Sequence, residues 1–591
     1  MTKVSKQVLY YFYLLLSISN LISINSHKLK KCGHNLRALR SKSIRVNYHG
    51  NEHNETSKLR YLQAAWEPLR MYIDYSMLDA QTTVDIAKRN AIHQVVDATK
   101  AMFEKLLMVK RLTAKLKVTT CEDITSISPA VQAGVSADIV IFPVFDLTAA
   151  EGVEASAVHC NQDTITNRPT AGGMFYAESV VDPTRKNYMD YLIMLTFHEM
   201  THILVFNDSL YEGFIDSTGQ VIPVAQTVGT QTINGVSRSM ITSPKVVATA
   251  KSHFGCSKII GMELENQGGE GTAGAHWEMR TMLGDYMIGE SYDENVISEI
   301  SLAFYEDSGW YKTNYYTGGL FRYGKYKGCD FLLSKCIVNE KSNFPGTFCT
   351  ESGARMCTSS RIAKGTCSIQ DSTETVDAAY KYFTSGKVGT TNADFCPITA
   401  SADDAAIYFA QVCFEGLSSL PVSLNEVIGA DSSCFYSSIK DPNITEQKAI
   451  PTNYSICYKH SCDLTAKTLS VTVGTQTISC SRAGGPVDVT VGTSTGKLWC
   501  PDYNLICTQS VPCSGAVDCA MKGSSPLSPT YDYTSLATDP FGTDSASAAS
   551  PIPSPVPAGT PGVGDASIPA NGYKITILST IFYFLIISFF A

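Results

Sequence analysis

Two histidines four residues apart, with a glutamate directly after the first, lie in the run Leu195-Thr196-Phe197-His198-Glu199-Met200-Thr201-His202-Ile203-Leu204. On a helix, residues at i and i+4 share a face. Both imidazoles can then reach one zinc ion, and Glu199 is placed to take a proton from a water on its open side. The chemistry implied is metal-assisted hydrolysis; the bland alternative is an apolar helix with two surface histidines. A catalytic zinc site needs a third protein ligand plus water. In the compact pattern a glycine stands three residues past the second histidine and a histidine three further on. Here those positions hold Val205 and Asp208. The third ligand therefore comes from further along the chain, either from one of the glutamates Glu263, Glu265 and Glu270 or from His276.

Positioning such residues needs a scaffold, and the periodicities suggest one. Residues 186–205 read as a helix. Residues 83–110 carry apolar positions at helical spacing without Pro or Gly and read as one long amphipathic helix. Leu69 to Ile73 alternates as a strand does, Lys115 to Val118 is strand-like, and Ala137 to Val144 is an apolar run suited to a buried strand. Ordered structure is expected from near Trp66. Helices and strands in this arrangement imply an α+β catalytic domain. From about residue 331 the composition shifts to Cys, Gly, Ser and Thr with short β-type runs such as Leu469 to Val473. Residues 523–572 are dominated by Ser, Pro, Ala, Thr and Gly, which cannot bury enough apolar area to fold and read as a stalk.

The 591 residues suffice for two or three domains, and 44% hydrophobic with 17% charged residues is a globular composition. Net charge is −8, and the densest basic run is only Lys28 to Lys31, so nucleic-acid binding has no electrostatic footprint. Lys3 and Lys6 followed by the apolar Val8 to Leu16 have the layout of a secretory signal peptide, the alternative being an N-terminal membrane anchor. The apolar stretch Ile575 to Ala591, preceded by Gly562, Gly564, Asp565, Ala566 and Ser567, reads as a GPI-anchor signal, the alternative being a C-terminal membrane helix. Either places the chain on an outer membrane surface. The 19 cysteines agree with an oxidising compartment, as do the sequons at Asn54, Asn207, Asn443 and Asn453.

The stretch Glu263-Leu264-Glu265-Asn266-Gln267-Gly268-Gly269, then GTAGAHWEMR at 271–280 and Met287, closely resembles the leishmanolysin family of zinc metalloproteases, in the metzincin clan. In that family a long insertion separates the HExxH helix from the third histidine, and a methionine eleven residues beyond it forms a Met-turn beneath the zinc. His276 and Met287 have that spacing. Further matches run from Ile300 to Tyr311 and from Gly328 to Leu332. The resemblance is dense over about 185–332, recognisable from about 61, and thin in the Cys-rich region.

The resemblance implies a zinc-dependent endopeptidase acting on proteins, with His198, His202 and His276 as ligands, Glu199 as general base and Met287 as the floor of the site. Together with composition and patterning, it gives an expected division into a signal peptide (1–26), a pro-segment (27–60), an N-terminal catalytic subdomain (61–230) and a central subdomain (231–330) carrying the third ligand. A disulfide-rich, mainly β C-terminal domain (331–520), a stalk (521–572) and an anchor signal (573–591) would follow. Cys32, in the pro-segment, would be the unpaired thiol, occupying the zinc's open position until the segment is removed; the other 18 cysteines could pair. Val205 stands where the family has a glycine, so the helix end is expected to turn differently. The competing function is a catalytically silent surface protein that uses the same scaffold for adhesion.

Overall fold

Asp85 starts the first long helix, α1 (Ile86–Leu106), by accepting the Ala87 N–H on its Oδ1 at 2.6 Å. Ile92, Val95, Val96, Thr99, Met102, Phe103 and Leu106 recur on its buried face. The helix stops four residues short of the expected 110. Leu107–Lys110 is a strand instead, paired antiparallel with Trp66–Pro68 on one side and Tyr311–Thr313 on the other. Leu107 and Val109 are its buried residues, so tertiary pairing decided a segment whose local pattern also suited a helix. Order also begins earlier than Trp66, with a helix at Glu55–Gln63 that buries Tyr61. Leu116 forms only an isolated bridge to Val135, so 115–118 is not a strand.

The computed structural model describes residues 31–32, 43–48 and 55–507, except 183–187, 270, 291–295, 314–320, 359–360, 373–374, 401–411, 414–423, 430, 444–453 and 464. The expected signal peptide, stalk and anchor signal lie outside the described residues. These residues fold as a mixture of helices and strands laced by disulfides. The main sheet contains β1 (Lys31–Cys32), β2 (Ile44–Val46), β3 (Met71–Ile73), β4 (Ile139–Asp146), β5 (Val153–Asp163) and β6 (Pro169–Ala177). Its order is β1-β5-β6-β4-β3, with β2 also paired to β5. β4 runs parallel to β3 and β6, whereas β5 is antiparallel to β6. β4 and β6 are buried almost throughout, which explains the unbroken apolar run from Ile139 to Phe145.

Helix α2 (Tyr188–Leu204) packs between this sheet and α1. Phe103 of α1 stacks on Phe197 of α2 with ring centroids 4.0 Å apart and planes 4° apart. On the sheet side, Gly172 makes the close approach possible. A Cβ there would stand 2.5 Å from Ile203 Cγ2 and 2.7 Å from the Val158 carbonyl oxygen. Ile203 follows His202 directly, so this contact sets the depth of the helix that carries the histidines. Gly172→Ala is expected to destabilise the fold by about 1–3 kcal/mol through overpacking. Thermal denaturation at saturating zinc would show it, and an unchanged midpoint would mean the helix can ride outward freely.

Beyond residue 331 the described chain is mainly β. A six-stranded antiparallel sheet has the order 476–480, 468–473, 454–463, 432–437, 494–500, 485–491. Six disulfides hold this region: Cys336–Cys396, Cys349–Cys367, Cys357–Cys434, Cys413–Cys457, Cys462–Cys507 and Cys480–Cys500. Two more, Cys121–Cys160 and Cys256–Cys329, lie before it. Cys513 and Cys519 fall outside the described residues. Among the described residues no helix is long and apolar enough to cross a membrane.

Candidate metal centre

His198 and His202 sit one turn apart on α2, and the loop at 272–278 brings His276 against them. The Nε2 atoms of His202 and His276 lie 3.0 and 3.2 Å from Nε2 of His198. Each ring's other nitrogen faces a backbone carbonyl: His198 Nδ1 to Tyr286 O at 2.7 Å, His202 Nδ1 to Phe206 O at 2.7 Å and His276 Nδ1 to Thr272 O at 2.8 Å. A carbonyl only accepts, so every Nδ1 carries the proton and every neutral ring aims an Nε2 lone pair inward. Burial holds the His198 imidazole down at about 4, so it is neutral at physiological pH. Three lone pairs facing one another repel unless a cation sits among them. Zinc–nitrogen bonds of about 2.0–2.1 Å at tetrahedral angles put ligand nitrogens about 3.3 Å apart, so the donor set fits zinc.

The carbonyls that orient the rings come from well-held backbone. α2 ends with the Val205 and Phe206 N–H groups both donating to Thr201 O at 2.9 Å. Val205 is not among the residues with positive φ, so the helix closes without the left-handed glycine of the family pattern and still delivers Phe206 O to His202. Tyr286 O is fixed through its neighbours. Asp285 Oδ1 accepts the Met287 N–H at 2.7 Å, and its Oδ2 accepts from Ser301 Oγ at 2.8 Å. Ser301 Oγ in turn accepts from Trp277 Nε1 at 2.8 Å, and Trp277 N–H donates to Met287 O. Met287 is fully buried directly after the residue whose carbonyl holds His198.

Glu199 is fully buried beside His198 on α2. The glutamates weighed as third ligands are placed otherwise. Glu263 Oε2 accepts from Arg238 Nη1 at 2.6 Å, and Glu265 Oε1 accepts the Gln267 N–H at 2.7 Å. The three-histidine group contains neither, and Glu263 instead joins Glu278 and Asp394. Glu270 lies outside the described residues. Sequence reasoning missed the three orienting carbonyls, for which no side-chain signal exists, and the Asp285–Ser301–Trp277 chain, whose members are scattered.

The sequon at Asn207 needs correcting as a glycan site. Asn207 is fully buried, and its Oδ1 accepts from Ser209 N and Oγ at 3.0 and 2.6 Å as the cap of a short helix. A glycan on Nδ2 would have no room in the folded chain. Asn443 is exposed, whereas Asn54 and Asn453 lie outside the described residues. The backbone of Cys32 pairs with Ala155 of β5, and its thiol lies outside what is described.

A helix-borne HExxH joined by a distant third histidine is the arrangement of a metallopeptidase centre. The leishmanolysin family profile matches residues 54–513. The chain belongs to the leishmanolysin family, a family of zinc metalloendopeptidases. It is 27% identical over 391 residues to a leishmanolysin homolog of Crithidia fasciculata, covering 64% of this chain and 56% of that protein. It is 30% identical over 386 residues to a leishmanolysin-like peptidase of Caenorhabditis elegans, covering 54% and 57%. A leishmanolysin of Leishmania chagasi is 25% identical over 441 residues, covering 72% and 69%. The chain thus spans less than two thirds of the length of the Crithidia and nematode relatives.

Proposed function

We propose that this chain is a zinc-dependent endopeptidase that hydrolyses peptide bonds of extracellular proteins, with His198, His202 and His276 as ligands. The convergence of three Nε2 lone pairs, each fixed by a carbonyl at Nδ1, carries the reading. A zinc ion held by His198, His202 and His276 would supply Lewis-acid chemistry, making a water more acidic and polarising the scissile carbonyl. Glu199 takes the proton of the attacking water and passes it to the leaving amine. The imidazoles stay neutral and so leave the ion its charge, and Met287 packs beneath the site. Eight disulfides among the described residues suit secretion into an oxidising space. The test is hydrolysis of unfolded casein before and after stripping zinc with a chelator. Activity should vanish on stripping and return with stoichiometric zinc; a zinc-loaded protein inert towards casein and other unfolded proteins would favour the silent adhesion scaffold.

The proposed pro-segment, 27–60, fits an inhibitory role. β1 and β2 occupy the outer edge of β5 as parallel strands, Lys31 opposite Val153 and Ile44 opposite Asn161. An extended substrate adding to that edge by backbone hydrogen bonds would need the same groups. Cys32 lies within this segment and is the proposed zinc-capping thiol. In the full-length precursor, Cys32→Ala should raise casein hydrolysis at least about tenfold. A precursor left as inactive as the parent would remove the thiol from the mechanism.

A further inference from the structure

A second cluster of ligating groups lies apart from the three histidines. Carboxylate oxygens of Glu263, Glu278 and Asp394 lie within 4.8 Å of one another, and all three residues are buried. Their protein partners are few. Arg238 Nη1 pairs with Glu263 Oε2 at 2.6 Å and with Asp394 Oδ2 at 2.5 Å. Glu278 Oε1 accepts the Arg280 N–H at 3.0 Å, while its Oε2, wholly buried, has no hydrogen-bond partner. The Arg280 guanidinium is spent on the carbonyls of Phe331, Leu332 and Ser334. Glu265, also buried, adds a fourth carboxylate to the same field, and Tyr380 neighbours Asp394. Four carboxylates against Arg238 and Arg280 leave two negative charges uncompensated when all are ionised. Burying such charge unpaired is costly, and a single divalent cation would neutralise it.

We propose that Glu263, Glu278 and Asp394 form a structural site for a calcium ion. The donors are all oxygens, which selects a hard cation over zinc. Magnesium keeps several waters and demands octahedral geometry, whereas calcium accepts irregular cages of protein oxygens. The ion would join three separate segments. Glu263 ends the small sheet over 228–263, Glu278 begins the helix Met279–Met282, and Asp394 precedes the Cys336–Cys396 bridge. Asp394 and Phe395 both have positive φ, at 55° and 58°, a backbone turn that points the Asp394 carboxylate inward at a conformational cost. Glu278 lies two residues after His276, so the same ion would anchor the loop that supplies the third histidine. Its role there is positioning.

Equilibrium dialysis of the full chain against radioactive calcium up to about 1 mM, with zinc held saturating, tests this; extracellular calcium modules reach that weak an affinity. One calcium per chain is expected, together with a calcium-dependent rise in the thermal midpoint. Glu278→Gln and Asp394→Asn, on different segments, should each weaken calcium binding at least about tenfold while retaining zinc. Either folded variant suffices for the comparison. No calcium bound by the parent would overturn the proposal, leaving protons to neutralise the carboxylates. Undiminished binding in the variants would overturn it too, since the ion would then sit elsewhere.

Discussion

Glu199→Ala is expected to lower hydrolysis of unfolded casein by between about a hundredfold and ten-thousandfold while leaving zinc content at one per chain. The carboxylate is fully buried next to a proposed ligand and does not belong to the three-histidine group. Its removal deletes proton transfer and leaves the metal's donors intact. The loss should appear in kcat rather than KM, because the proton moves only in the transition state. Side-by-side kinetics and metal analysis separate the possibilities. Loss of zinc along with activity would make Glu199 a structural partner of the site, and retained activity would refute its role as base.

His276→Ala should have the opposite signature, with metal and activity failing together. Outer-shell partners alone tune metal affinity by about ten- to a hundredfold, so deleting a direct ligand should weaken zinc by more than about a hundredfold. His276 is fully buried, and the alanine leaves a cavity against Thr272 and Gly289. The folded state should nevertheless survive, since Trp277 still anchors the loop through Ser301 and Met287. Competition with a zinc chelator of known affinity, checked by circular dichroism, measures the effect. Zinc bound as tightly as in the parent would return the third-ligand role to a glutamate.

The residues proposed to do the chemistry were largely legible in the chain, and the reason is local. Spacing of four on an apolar helix places His198 and His202 on one face whatever surrounds them, and Glu199 follows by adjacency. The apolar run at Ile139–Phe145 and the cysteine density after residue 331 were readable for the same reason: each reports burial or cross-linking in its own segment. The third histidine was different. Composition and spacing left His276 level with three glutamates, and only a resemblance favoured it.

Tertiary structure decided what depends on distant partners. Leu107–Lys110 became a strand because Trp66–Pro68 and Tyr311–Thr313 flank it, although its pattern continued a helix. Asn207 satisfies the sequon rule but is consumed as a buried cap, which no local pattern reveals. The orientation of all three imidazoles rests on carbonyls of Phe206, Thr272 and Tyr286, groups that every residue type possesses and that no residue type therefore announces. The gathering of Glu263, Glu278 and Asp394 joins positions up to 131 residues apart. Sequence fixes side-chain chemistry and short-range periodicity; convergence across long loops is set by packing, and packing is a property of the whole chain.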